Sequence, residues 1–253
     1  MNDPFLSRIE DAGLNASAPP EQRWLDGWML RFCPGKAKRA RCINALCEGR
    51  LPLAERLALA DAAFHEHGLP LVVRITPFTR PTDLDATLAA QGWRRFDDTR
   101  VMVWRNLPSP DPARRNLKPQ AVSADEYARI VGALRGSSVA HQAAHARRLR
   151  TAPVPFQGFV VRDGAVVLAC GQFAREGDLV GLFDVFTALP ARGQGLARQL
   201  CAWMLDRAQE QGARHAYLQV DADNAAARAV YQRLGFADAY GYHYRTLAPD
   251  DAG

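Results

Sequence analysis

Leu179-Val180-Gly181-Leu182-Phe183-Asp184-Val185-Phe186-Thr187, then after four residues Arg192-Gly193-Gln194-Gly195-Leu196-Ala197, is the stretch on which the fold of this chain turns. The first run is apolar and rich in β-formers, which reads as a buried strand. The second opens a helix. Leu196, Leu200, Trp203, Met204 and Ala208 share one face, and Gly212 ends it. A strand passing through a glycine-rich turn into a helix makes an anion site. The first-turn N–H groups have no intrahelical acceptor and carry partial positive charge. Gly193 and Gly195 let those groups approach an anion with no Cβ in the way. The turn is not a P-loop, since no Gly-Lys-Ser/Thr follows. It is not a dinucleotide fingerprint either, since Arg198 stands where the third glycine belongs.

Working outward, Phe156–Arg162 and Ala165–Phe173 read as strands joined by the hairpin signal Asp163-Gly164. Ser123 with Glu126 forms a capping box for a helix through Leu134. Ala216–Val220 is a strand. Asn224–Leu234 is a helix stopped by Gly235, and Phe236–Tyr244 is an aromatic-rich closing strand. The expected fold class is α/β, a mixed sheet flanked by helices with a helical crossover in its middle.

Asn106-Leu107-Pro108-Ser109-Pro110-Asp111-Pro112 suits neither a helix interior nor a central strand. It predicts a linker over 107–112 between domains 1–106 and 113–253. The first part repeats the order of the second. Leu53–His67 is a helix ended by Gly68, Leu71–Ile75 a strand, Asp83–Ala90 a helix stopped at Gly92-Trp93, and Thr99–Arg105 a strand. The repeat predicts two related units, the second complete.

Composition bounds the function. The 253 residues carry a net charge of +5, and only three of the 32 cations are Lys. A basic balance suits an anionic partner, but basic–aromatic interleaving and zinc-ligand spacing are missing, so nucleic acid is an unlikely partner. No apolar run has the length of a membrane span and the start does not resemble a signal peptide. Five cysteines without a Cys-x-x-Cys pair read as free thiols in a reducing cytosol, with no metal site. A cytoplasmic protein is expected.

The turn at Arg192–Ala197, followed about thirty residues later by Asn224-x-x-Ala227-x-x-x-Tyr231-x-x-x-Gly235-Phe236, resembles the GNAT superfamily of acyl-CoA-dependent N-acetyltransferases. The likeness is specific over 179–244 and weak over 1–106, where a degenerate GNAT-like domain in tandem is implied. The resemblance implies roles residue by residue. Arg192, Gly193, Gln194, Gly195, Leu196, Ala197 and Arg198 would hold the CoA pyrophosphate. Val185, Phe186 and Thr187 would pair with the pantetheine arm, and Asn224 would contact it. Tyr231 would protonate the leaving thiolate. An amine attacks the thioester directly in a ternary complex, so the absence of a Ser-His-Asp or Cys-His constellation agrees with the implied chemistry.

The general base is less legible. Some relatives carry Glu five residues before the Asn; here that position is Gln219. Others place a carboxylate near Val180 and Gly181. Asp184, the one acid on its strand, is the expected base or anchor of the substrate ammonium, with His141, His145 or a water chain as alternatives. In the first half, the place of the phosphate turn falls on Glu48-Gly49-Arg50-Leu51-Pro52-Leu53, and Pro81 and Leu88 replace Asn and Tyr. That half should not bind CoA. Its run Lys36-Ala37-Lys38-Arg39-Ala40-Arg41 reads as a hairpin tip or a site for an acidic partner. An enzyme acetylating a primary amine is expected, with a non-catalytic acyl-CoA sensor as the alternative.

Overall fold

The computed structural model describes residues 3–110 and 117–248, so Asp111 and Pro112 of the expected linker lie outside the described residues. The chain runs α1 (Pro4–Ala16), β1 (Glu21–Leu25), β2 (Trp28–Phe32), β3 (Ile43–Ala45), α2 (Leu53–Glu66), β4 (Val72–Ile75), α3 (Leu84–Ala90) and β5 (Arg94–Trp104). It continues with β6 (Gln120–Val122), α4 (Ala124–Leu134), α5 (Val139–Thr151), β7 (Phe156–Asp163), β8 (Val166–Glu176), β9 (Leu179–Thr187), α6 (Leu196–Glu210), β10 (His215–Asp221), α7 (Ala225–Leu234) and β11 (Ala237–Thr246).

Local signals explain most of these elements. Ser123 caps α4 by accepting from the Glu126 N–H at 3.2 Å. Gly164 turns the β7–β8 hairpin at φ +54°. Gly235 ends α7 at φ +119°, where a Cβ would stand 2.6 Å from the Trp104 ring. Only glycine fits both the angle and the approach. α1 and the β1–β2 hairpin carried no reading in the sequence, and β5 begins five residues before the expected Thr99.

The eleven strands among the described residues form one sheet, in the order β1-β2-β3-β4-β11-β5-β10-β9-β8-β7-β6. The repeat is visible in it. β3–β4 and β9–β10 are its parallel pairs, bridged by α2 and α6 respectively. The expected boundary at 107–112 does not divide the sheet, however. β5 lies against β10, and β11 lies against β4, so each half's last strand sits beside the other half's parallel pair. β5 and β11 then join the two halves.

Alternation along the strands sends side chains to both faces. Val180, Leu182, Leu218 and Met102 pack on α6. Leu179, Phe183, Tyr217, Val101 and Val103 pack on α1. α4 and α5 cover Val160 and Cys170 farther along the sheet. Among the described residues no helix is long and apolar enough to cross a membrane.

Candidate active site

Between β8 and β9 the register shifts. Cys170 pairs with Phe186 and Gln172 with Phe183, so two β9 residues, Asp184 and Val185, oppose Gly171 alone. This is a β-bulge, which bends its strand. Asp184 adopts φ +50°, a conformation that Asp tolerates better than most residues. β9 and β10 pair only from Leu179 to Leu182. Beyond that point the strands part, and the edge of 183–187 that faces β10 is unpaired.

A cleft of about 250 Å³ opens there, lined by Asp184, Val185, Gln219, Asn224, Ala227 and Tyr231 among others. Past Thr187 the chain reaches Gly193 at φ +80° and Gly195 at φ +73°. Neither glycine has backbone in the space a Cβ would take. Gly195 caps α6 without a side-chain hydrogen bond, which leaves the first N–H groups of that helix without a side-chain acceptor. Arg192 donates from Nε to the Thr187 carbonyl at 3.3 Å and lies over the Phe186 ring.

Asn224 caps α7, its Oδ1 accepting from the Ala227 N–H at 3.0 Å. Tyr231 lines the cleft and packs edge-on to Phe236. Burial raises its phenol above the ordinary value, so the group keeps its proton and can act as a donor.

The start of the strand edge and these two side chains line one cleft, whereas Phe186, Thr187 and the Arg192–Ala197 turn are not part of its lining and follow it along the chain. Residues 6–245 match the family described as "Probable histone acetyltransferase Rv0428c C-terminal". The chain belongs to this family. It is a GNAT acetyltransferase, and the family match spans the 107–112 segment. A Bacillus subtilis (strain 168) protein named "Uncharacterized N-acetyltransferase YobR" is 26% identical over 232 residues, spanning 88% of this chain and 91% of that protein. A GCN5-related N-acetyltransferase structure from Kribbella flavida superposes with a TM-score of 0.68 over 96% of both chains, at 18% identity. The structure titled "Tandem GNAT protein from the clavulanic acid biosynthesis pathway (without AcCoA)" gives a TM-score of 0.55 at 19% identity, covering 78% of this chain and 70% of that one.

Asp184 does not suit the role of a GNAT general base. Its carboxylate accepts from Arg135 Nη1 at 2.9 Å and Gln172 Nε2 at 2.8 Å, and His145 Nε2 stands 3.3 Å away. Burial opposes the charge, but His145, Arg135 and Arg148 outweigh it and hold the carboxyl far below the usual carboxylate range. A group so reluctant to take a proton is a poor acceptor of one. Its partners also leave little capacity for a substrate ammonium. With Tyr127, whose hydroxyl donates to the Asp184 carbonyl at 2.9 Å, they pin the bulge in place.

A second cavity of about 370 Å³ adjoins the cleft at Asp184. α5 supplies His141, His145 and Arg148, α4 supplies Ala128 and Val131, and β11 supplies Tyr242 and Tyr244. The first half supplies Gly35–Arg39, in the segment read as a hairpin tip, with Cys33 and, from β5, Asp97 and Thr99. That segment does connect β2 to its antiparallel neighbour β3. Arg39 donates to the Tyr242 hydroxyl at 3.0 Å, which donates to Gln219 Oε1 at 2.9 Å. Arg135, Arg148, Gln172 and Tyr127 had no signal in the sequence. Each reaches the site through pairing and packing between distant segments.

The first half's counterpart of the turn is already filled. Asp26 accepts from the Arg50 N–H and Leu51 N–H, each within 3.0 Å, and these bonds lower its carboxyl below the ordinary value. Pro52 at the cap of α2 has no N–H to offer. Leu88 is fully buried against α2 and β4 neighbours. Among the described residues no group of three or more His, Cys, Asp or Glu has the arrangement of a metal site.

Proposed function

We propose that the enzyme transfers an acetyl group from acetyl-CoA directly to a primary amine, in a ternary complex and in the cytoplasm. The observation that carries this reading is the unpaired β9 edge running from the bulge toward the uncapped start of α6. Val185, Phe186 and Thr187 offer main-chain groups to an extended amide-bearing arm, as a sheet edge does to an added strand. The Arg192–Ala197 turn and Arg198 offer N–H groups and charge to a pyrophosphate. The Asn224 amide NH₂ remains a donor toward the cleft while its oxygen caps α7.

A β9 N–H beside the thioester polarises its carbonyl. Tyr231 delivers a proton to the departing sulfur. Asp184 acts as a positioning residue that fixes the bulge, and His141 or His145, or a water, takes the amine's proton. With Asp26 already seated in the equivalent turn, the first half binds no second acetyl-CoA. It walls the acceptor side instead.

The test is thiol release from acetyl-CoA against a panel of primary amines, with the wild type and Tyr231→Phe. The wild type should turn over, and the variant should lose on the order of 10²-fold in kcat with acetyl-CoA affinity little changed. Acetyl-CoA binding with no turnover by the wild type would make the protein a sensor. An undiminished rate in the variant would return Tyr231 to the core.

A further inference from the structure

The cavity beside the cleft is cationic. Lys36, Lys38, Arg39, Arg135 and Arg148 line it, against two carboxylates, Asp97 and Asp184. Both carboxylates are engaged within the protein. Lys38 lies 3.3 Å from Asp97, and Arg135 holds Asp184. Lys36, Arg39 and Arg148 therefore have no carboxylate partner among the described residues.

Arg148 is the decisive one. It is 8% exposed, yet its guanidinium makes no hydrogen bond among the described residues; its Cζ lies over the Phe156 ring at 5.8 Å. Asp184 attracts it through space, but burial dominates and lowers its pKa below the ordinary guanidinium value. Arg39 spends Nη1 on Tyr242, while its Nε is buried with no partner. Buried, incompletely paired guanidinium groups are costly, and an arginine fork matches a carboxylate or a phosphate. Both arginines line the acceptor cavity and the cleft alike.

We infer that the acceptor is a small amine that also carries an anionic group, a carboxylate or a phosphate, which Arg148 and Arg39 hold at the junction of the two cavities. The inference rests on the acetyl-transfer reading. A cavity of this volume suits a small molecule. The same cations disfavour a neighbouring ammonium relative to the neutral amine, and so help to present the acceptor as a nucleophile. Polyamines and lysine-rich tails are disfavoured for the same reason.

The experiment compares matched amines in the thiol-release assay. Amino acids are set beside their carboxamides, and O-phosphoethanolamine beside ethanolamine, with the wild type, Arg148→Gln and Arg148→Lys. In parallel, acetyl-CoA binding is measured by calorimetry, and inorganic phosphate and acetate are tested for stabilisation against heat. The anionic member of at least one pair should exceed its neutral partner at least tenfold in kcat/KM. Which pair responds distinguishes a carboxylate from a phosphate. Arg148→Gln should bring that ratio near one and abolish the anion-dependent shift in melting temperature, while Arg148→Lys restores part of both. Neutral amines used as well as anionic ones, or a ratio unchanged in Arg148→Gln, would overturn the inference while leaving the transferase reading intact. Acetyl-CoA bound with no anionic amine turned over and no anion-dependent shift would also overturn it. Failure to bind acetyl-CoA would instead strike the transferase reading itself.

Discussion

Separating the two halves of the chain between residues 110 and 117 should leave neither piece folded alone. In a chain of two closed domains, residues 117–253 would keep the strand edge, the turn, Asn224 and Tyr231, and would bind acetyl-CoA. In this sheet they lose β5, which pairs with β10 over six residues from Thr99 to Trp104 and with β11 along its other edge. Val101 and Met102 are fully buried and Val103 nearly so, between α1 on one face and α6 on the other. At about 1.5–3 kcal/mol per large apolar side chain, withdrawing these three costs roughly 5–9 kcal/mol. That matches the whole stability of an ordinary domain, about 5–15 kcal/mol. Loss of α1 exposes Phe183 and Tyr217 besides. The assay is expression of 117–253 alone and with 1–110 supplied as a second chain, followed by thermal unfolding and acetyl-CoA titration. The single fragment should show no cooperative transition and no binding; the pair should co-purify and recover both. A lone fragment that melts cooperatively and binds with whole-chain affinity would refute the reasoning.

Other outcomes follow from single sites. Gly195→Val puts a branched side chain at φ +73° against the anion position, so acetyl-CoA affinity should fall at least tenfold, about 1.4 kcal/mol, by calorimetry. Titration of the wild type should give one acetyl-CoA per chain, because Asp26 occupies the first half's equivalent turn. Asp184→Asn should cost roughly 1.5–3 kcal/mol by denaturant unfolding through its weakened charged hydrogen bonds. Since the folded carboxyl lies far below its ordinary value of 3.8, its stabilisation is complete above that value and fades as pH falls below it. The wild-type melting temperature should therefore drop more steeply on acidification from about pH 5 than that of the variant. Glu10→Gln leaves Arg74, its buried partner, without a counter-charge. A loss of about 3–5 kcal/mol is expected in equilibrium unfolding, with acetyl-CoA affinity of the folded protein unchanged.

Local rules made the elements around the glycine-rich turn and α7 legible. The helix after Gly195 and the Asn224 cap follow from steric and hydrogen-bonding demands that act within a few residues. So does the stop at Gly235, although its closeness to Trp104 shows a distant strand using the same glycine. The internal repeat was legible for the same reason, since helix stops and strand starts recur at one spacing. Family membership followed from these short-range patterns.

Strand partners and the walls of the second cavity were decided only in three dimensions. Nothing local in Thr99–Trp104 or in Ala237–Thr246 says which half's sheet each will enter, because a strand edge hydrogen-bonds any partner of matching register. The same limit applies to charge. Asp184 read alone is a candidate base; surrounded by Arg135, Gln172 and His145 it becomes a fixed anion. Lys36–Arg41 read alone is a hairpin tip or a site for an acidic partner; in the folded chain Lys36–Arg39 line a cavity with α5 and β11. The sequence by itself determined most elements of the second half and the glycine-rich turn before α6, whose physics is local. The tertiary structure decided the pairing of the halves and the electrostatics of the cavity beside the cleft, because both depend on groups far apart in the chain that meet only when the sheet is complete.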